Sequence, residues 1–503
     1  MRHSFSRLRM GAATLVFLCM VLTFLGLTSL DLPMFQLLPA LLAVHVVSII
    51  AILVVTIFVG RVYCAVLCPL GILQDMVWWM AKKTTKRARK MHYTKDHVYL
   101  RYSVLLVTMV TMAAGGATVL DIIEPYSMFG RIVSHLLYPV YQSVYNLIVT
   151  VGVDQGWFLA VPYDLAWRGL AALAVSSVSF IVIALLSFRY GRLYCNTICP
   201  VGTMLGSVSR FSLYGPQFDT TKCIRCKRCE RACRASCIDV KSQQIDGSRC
   251  VMCGSCLAVC PKDALSLARR YGKGTIQEAA QPVDEAALMS RRDMLVRSGV
   301  AVTAAVIAMA KDSLPVEAAM DGVSTTGPIM PPGAKTFANF TQRCTACHRC
   351  LDHCPSGVLQ PSVFEYTGAG LWQPRLDYAK GYCVLNCTIC SHVCPTGAIQ
   401  PISMDTKKTL QIGKAVYNAF HCLINAEGYA CGICARHCPV QAIDMVPDAN
   451  GRILPKVKHS TCIGCGSCEY HCPTKAIFVK TMRVQKLLGS GRSQHITKQP
   501  SES

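Results

Sequence analysis

The chain has 503 residues, 30 of them cysteine, a formal net charge of +23 and a mean hydropathy of +0.36. Length and hydropathy exclude a single small soluble domain. The clustered cysteine spacings read as metal ligation rather than as the disulfide scaffold of a short secreted chain. The basic charge lies largely beside apolar runs, where it orients helices, so no nucleic-acid partner is expected.

Residues 11–30 and 34–59 are apolar runs long enough to cross the roughly 30 Å hydrocarbon core as helices. Arg2, Arg7 and Arg9 precede the first, and K-K-T-T-K-R-A-R-K at 82–90 follows the second. Both flanks read as cytoplasmic. A third span is expected at 98–120 and a fourth at 168–188. Arg189, Arg192 and the basic motif from 222 onward also read as cytoplasmic, so an even number of crossings must intervene. The tyrosine-rich segment at 131–150 is therefore assigned to the outer interface. Cys19 reads as a small hydrophobe on an apolar helix. His45 reads as a hydrogen-bonded core histidine, since a b-type haem needs two facing ligands. Asp121, Glu124 and His135 form a polar outer rim of candidate proton acceptors. The plainer reading is that Asp121 and Glu124 end the third span in water.

A motif recurs in register. G-R-V-Y-C-A-V-L-C-P-L-G occupies 60–71, and G-R-L-Y-C-N-T-I-C-P-V-G occupies 191–202. Cys64 and Cys68 in the first loop, and Cys195 and Cys199 in the second, supply two ligands each. A shared metal or cluster requires the two loops to meet. Structural packing or local thiol redox is the leading reading of these four cysteines, and shared ligation is the alternative.

Residues 223–237 read C-I-R-C-K-R-C-E-R-A-C-R-A-S-C, and 250–261 read C-V-M-C-G-S-C-L-A-V-C-P. Three closely spaced thiolates grip one [4Fe–4S] cube, and the fourth cysteine of each run reaches the other cube. One cluster is assigned Cys223, Cys226, Cys229 and Cys260. The other takes Cys250, Cys253, Cys256 and Cys233. Cys237 is an extra thiol that could replace Cys233, and Arg234 stands where a proline is usual.

The stretch S-R-R-D-M-L-V-R-S-G-V at 290–300 carries twin arginines, Arg291 and Arg292, ahead of an apolar run. It resembles the signal that exports folded cofactor proteins. Residues 296–310 are the expected fifth span. The alternative is a cytoplasmic linker with every cluster inside.

Four more cysteine groups follow: Cys344, Cys347, Cys350 and Cys354; Cys383, Cys387, Cys390 and Cys394; Cys422, Cys431, Cys434 and Cys438; Cys462, Cys465, Cys468 and Cys472. Cys344 to His348 matches a c-type haem motif, but the next cysteines arrive in ferredoxin register. Fourth-ligand exchange is expected, with the pairing of groups left open. Six clusters of about −2 each would remove about 12 charges and leave roughly +11.

These motifs support a resemblance. Residues 1–265 resemble the quinol-oxidising membrane iron–sulfur subunit of periplasmic nitrate reductase systems. Residues 290–480 resemble its partner, an exported four-cluster ferredoxin-type subunit, related to the methylamine utilisation ferredoxins. The chain looks like a fusion of the two. The resemblance implies a respiratory-chain, electron-transport role, carrying electrons from quinol to a periplasmic reductase, other redox enzyme or cytochrome, within a membrane complex. It also implies a multi-pass protein of the bacterial inner membrane.

The expected fold is multi-domain: a polytopic α-helical membrane domain (1–210), then two ferredoxin-like α+β iron–sulfur modules. The first module (211–270) is expected in the cytoplasm. A linker (271–340), the second module (341–480, periplasmic) and a flexible tail (481–503) follow. No glycine fingerprint for a nicotinamide is visible. An electron-transfer subunit without substrate chemistry of its own is the leading reading. A redox-sensing or assembly protein, or an iron–sulfur catalytic subunit, are the alternatives.

Overall fold

The computed structural model describes residues 2–28, 32–85, 91–113, 117–155, 169–270, 327–363, 365–366, 370–448 and 451–489. The twin-arginine stretch, the expected span at 296–310 and residues 490–503 lie outside these. The chain divides into two compact units: residues 1–114, 119–141 and 173–311, and residues 115–118, 142–172 and 312–503.

In the first unit, the helix Arg2–Phe24 runs without a proline until Gly26 turns the chain at φ +76°. Its segment Phe5–Phe24 is long and apolar enough to cross a membrane, as are Pro125–Asp154 and Leu170–Tyr190. The expected span at 34–59 comes out differently. It forms a short helix Leu37–Leu42 and a helix Val46–Val59 of 14 residues. The break falls where Val44 adopts a left-handed backbone at φ 57°, costly for a β-branched residue. His45 follows the break, and its Nδ1 hydrogen-bonds Ser48 Oγ at 2.9 Å. The expected span at 98–120 likewise ends early, as the helix Val98–Ala113, with a separate helix Thr118–Ile123.

The segment 131–150, expected in the outer interface, instead lies inside the continuous helix Pro125–Asp154. Glu124 caps that helix by accepting the Ser127 backbone N–H, and Pro125 occupies the first turn, where a missing N–H costs nothing. Mid-helix, Val133–Leu137 widen into a π turn that carries His135. The inner face of the start of this helix is aromatic. Phe129 meets Phe17 edge-on at 5.5 Å and Phe24 at 6.0 Å between ring centroids.

The first cysteine-rich module belongs to this same unit. Tyr214–Phe218 pairs antiparallel with Leu265–Arg269, and Ile238–Asp239 with Gln244–Ile245. Short helices Arg228–Ala232 and Ser255–Val259 complete it. Val59 and Val62 of the helical part pack against its core.

In the second unit, residues 327–489 form another cysteine-rich module. Three antiparallel two-stranded ladders pair Leu359–Pro361 with Pro374–Leu376, Leu410–Tyr417 with Ile477–Leu487, and Ile443–Pro447 with Ile453–Val457. The sequence-based limits of 341 and 480 are too narrow. Ile329 bridges to Leu376, and Thr336 to Val484. The Gln485 amide accepts from Gly333 N–H at 2.9 Å and donates to the Pro331 carbonyl at 2.7 Å. Residues 327–340 and 481–489 thus belong to the module, because each supplies the hydrogen bonds the other's backbone needs when buried. The core contains few residues besides the cysteines and scattered aliphatics.

Candidate iron–sulfur centres

In the first module, one cavity is lined by Cys223, Cys226, Cys229 and Cys260. A second is lined by Cys250, Cys253 and Cys256 together with both Cys233 and Cys237. These are the two expected quartets plus the extra thiol. In the second module the structure supplies pairings that spacing left open. Cavities are lined by Cys383, Cys387, Cys390 and Cys354, by Cys462, Cys465, Cys468 and Cys438, and by Cys422, Cys431, Cys434 and Cys472. Cys344, Cys347, Cys350 and Cys394 make up the remaining set. Burial pushes the Cys350 thiol well up, and Cys347, Cys344 and Cys394 add to the effect. The first group therefore exchanges its fourth cysteine with the second, and the third with the fourth. Buried and half-buried thiols gathered around one cavity ionise together only around a cation, and the iron of a four-iron cube would provide that charge.

The backbone carries the same signature. In four of the groups, the residue two after the first cysteine and the residue after the second are left-handed: Arg225 and Lys227, Met252 and Gly254, Ala346 and His348, Gly464 and Gly466. This turns successive N–H groups to one side, as a nest for sulfur charge. At 464 and 466 glycine is required twice over, since a Cβ would also strike the Gly413 backbone or the Tyr378 ring. The two groups with irregular gaps lack the pattern. A second signature covers all six fourth cysteines. The residue three positions on is left-handed: Ser236, Asp263, Gly357, Gly397, Gln441 and Lys475. Ser236 keeps this register with Cys233, not with Cys237. Cys233 is thus the counterpart of the other fourth cysteines in backbone register, with Cys237 Sγ 3.5 Å from its sulfur.

Within the second module the paired halves touch. The Cys383 N–H donates to the Cys465 carbonyl at 2.9 Å, and Tyr378 Oη donates to the Gly464 carbonyl at 2.6 Å. The quartet of Cys383 and that of Cys465 are thereby neighbours across a single hydrogen bond.

The two C-x-x-x-C-P loops meet. Arg192 Nη1 donates to the Cys64 carbonyl at 2.7 Å, and Arg61 Nη2 donates to the Cys195 carbonyl at 3.2 Å. Each loop's arginine thus clasps the other loop. Arg61 also reaches Cys64 Sγ at 3.8 Å, and Gln74 Nε2 reaches Cys195 Sγ at 3.3 Å. All four loop cysteines are buried. The closing glycine of each motif has a steric reason. A Cβ on Gly71 would lie 2.6 Å from the Cys64 carbonyl oxygen, and one on Gly202 would collide with that of Cys195.

The first module docks on this clasp. Arg61 Nη1 donates to the Ser248 carbonyl at 2.9 Å, and Arg192 N–H to the Arg234 carbonyl at 2.9 Å. Asp75, buried beneath, accepts from Arg192 Nε at 2.8 Å and pairs with Arg9 at 3.4 Å and with Arg234. Burial opposes its ionisation, but Arg192, Arg234 and Arg9 outweigh it and hold the carboxyl at about 2. Arg234, which replaces a proline in the cysteine run, is explained here as an anchor.

Asp121 and Glu124 do not end a span in water. Both are buried, as are Arg131 and His135. Nor are they a membrane's thickness away from the cysteine loops, as the outer-rim reading requires. Tyr194, next to Cys195, donates its hydroxyl to the Ile123 carbonyl. Tyr63, its counterpart in the repeat, donates to Gln36 Oε1 at 2.8 Å. Burial pushes both phenols well above their ordinary range, with the Cys68 or Cys199 sulfur and the Glu124 carboxylate acting the same way. The reason for the difference is that the chain is not helical at Ala117, and Thr118–Ile123 and the start of Pro125–Asp154 lie beside the loops. Spacing could not reveal this, although the paired tyrosines of the repeat were visible.

Among the described residues, no group of three or more His, Cys, Asp or Glu is spaced for a single metal ion. A zinc site would need four ligands around one centre, whereas a cube's cysteines each hold a different iron.

Residues 42–87 and 172–213 match the family described as "4Fe-4S binding domain". Residues 222–264, 343–398 and 429–476 match the "4Fe-4S dicluster domain". The chain is 31% identical over 144 residues to the methylamine utilization ferredoxin-type protein MauM of Methylophilus methylotrophus, covering 27% of this chain and 62% of that protein. It is 28% identical over 145 residues to the ferredoxin-type protein NapG of Escherichia coli, covering 27% and 62%. With the methylamine utilization ferredoxin-type protein MauN of Paracoccus denitrificans it shares 28% over 176 residues, covering 35% and 48%. The resemblance to ferredoxin-type proteins is thus borne out. The chain spans about three fifths of the length of MauM and NapG.

Proposed function

We propose that this protein is a membrane-bound electron carrier that takes electrons from quinol and passes them through [4Fe–4S] clusters, of which the chain holds six, to a redox partner outside the membrane. The observation that carries this is the set of cysteine-lined cavities with exchanged fourth ligands, joined in the second module by the Cys383–Cys465 hydrogen bond. Each cluster, when bound, accepts and returns one electron without bond rearrangement in a substrate. The chain's own part is to hold the quartets in sequence. The order is the Cys344 set, the Cys383 set, the Cys462 set and the Cys422 set. In this reading the C-x-x-x-C-P quartet locks the two loops beneath the first module.

Quinol oxidation releases two electrons and two protons, so a buried proton acceptor beside the electron path is required. Glu124 suits that role, with Tyr63, Tyr194 and the loop cysteines around it. Reduction of the clusters by a menaquinol analogue should be fast in the wild type and at least tenfold slower in Glu124→Gln, with a smaller loss in His135→Ala. Unchanged rates in both variants remove these residues from the site. No reduction of an iron-replete wild type overturns the quinol reading.

The proposed location is the bacterial inner membrane, with the first module cytoplasmic and the second periplasmic. The packing of Phe5 beside Gly254 supports one side for the start of the first helix and the first module. An even number of crossings must therefore separate them. The three full-length helices alone would be odd, so the shorter helix Val46–Val59, at whose end Val59 and Val62 pack on the first module, crosses too. Tags after residue 265 and at Ser503 should report opposite sides in a protease-protection assay on oriented vesicles. Both on the cytoplasmic side would place the acceptor there instead.

A further inference from the structure

Lys407 lies in the short helix Met404–Thr409, started by Ser403, whose Oγ accepts the Thr406 N–H at 3.1 Å. Its neighbour Lys408 behaves as surface lysines do, half exposed and paired with Asp405 at 3.3 Å. Lys407 does not: it is 2% exposed, and its Nζ donates to Cys383 Sγ at 2.9 Å. A buried ammonium is costly unless a negative group compensates it. A neutral thiol would not, whereas a ligand thiolate on a cluster of about −2 would. Cys383 is the first cysteine of its group; fourth-position sulfurs have hydroxyl neighbours instead, as Cys354 with Ser356 at 3.7 Å and Cys394 with Thr396 at 3.6 Å.

We propose that Lys407 is a tuning residue that raises the reduction potential of the cluster held by Cys383, Cys387, Cys390 and Cys354, making it the electron-collecting member of the second module. This rests on the cluster reading above. One added electron makes the cluster more negative, and a fixed positive charge at a ligand sulfur favours that state; charge and hydrogen bonds at the sulfurs set cluster potentials. The position gives the effect a purpose. Cys383 is the residue whose N–H bridges to Cys465, so this cluster sits at the joint between the two halves.

The test uses the full-length protein, purified without oxygen, in wild-type, Lys407→Met and Lys407→Arg forms. Iron analysis is followed by redox titration monitored by electron paramagnetic resonance. Lys407→Met should keep its iron and show one component with a reduction equilibrium about tenfold less favourable, a midpoint drop of ~59 mV for one electron. Lys407→Arg should match the wild type. The proposal is overturned if iron-replete Lys407→Met shows every component unmoved, or if Lys407→Arg shifts as much. Should Lys407→Met shed iron, Lys407→Arg decides: full iron with unmoved components supports the charge, and loss there too overturns it. Failure of the cluster reading itself is separate, since the wild type would then lack four-iron signals.

Discussion

Chelating the iron from the intact protein is expected to unfold both cysteine-rich modules while the long helices keep their far-ultraviolet signal. The second module's core is built around its ligands. Cys344, Cys350, Cys383, Cys462, Cys465 and Cys468 are part of its buried cluster, and six further cysteines pack against it. Its ladders are only two-stranded, and such pairs have little independent stability. Metal binding free energy is then largely folding free energy, on the order of 10 kcal/mol per site by analogy with small metal-dependent domains. Before chelation, anaerobic preparations should contain about 24 irons per chain for six four-iron cubes, and about 28 if the C-x-x-x-C-P quartet also holds one. Afterwards, protease should cut within 327–489 and 211–270. A stable preparation with near eight irons and intact modules, or modules that resist protease without iron, would contradict this reading.

Asp75→Asn should release the first module from the helical part. The substitution leaves Arg9, Arg192 and Arg234 around a neutral amide in a buried site. Removing one member of a buried ionic network costs about 3–5 kcal/mol, mostly through the stranded charges. The expected readouts are a lower thermal midpoint and new cleavage between the helix Pro200–Ser209, which closes the helical part, and the strand Tyr214–Phe218. Asp219→Asn, which removes an exposed pair with Lys222, is the control and should change nothing measurable. The pH dependence has a definite sign. The Asp75 carboxyl is held at about 2, below its unfolded value of about 3.9. Its contribution is therefore complete above about pH 4 and is lost as pH falls through the folded value. Between pH 5 and 8 the difference between Asp75→Asn and wild type should stay constant. A difference that grows toward neutral pH would point to another group.

Much of this arrangement was legible in the residues. Cysteines two or three apart can bind only as a local loop, so the triplets at 223–229, 250–256, 344–350 and 462–468 follow from spacing. The expected exchange of fourth cysteines in the first module followed from the same logic, and the left-handed Ser236 stands three residues after Cys233, as at the other fourth cysteines. The repeat of G-R-x-Y-C marked the paired loops before their contact was known. The membrane reading fared less evenly. A window of apolar residues at 34–59 hides the break at Val44 and His45, because hydropathy does not register a local backbone reversal.

By itself, then, the sequence determined the cysteine triplets, the duplicated loops and the apolar helices, because each depends on residues a few positions apart. Tertiary structure decided which groups share fourth cysteines, that the two loops interlock through Arg61 and Arg192, and that Glu124 lies beside Tyr194 rather than in water. It also decided that Lys407 meets Cys383 while Lys408 meets solvent. These depend on which distant segments pack together. Burial then changes the energy of a carboxylate, a guanidinium or an ammonium by several kcal/mol, and no local pattern of residues carries that information.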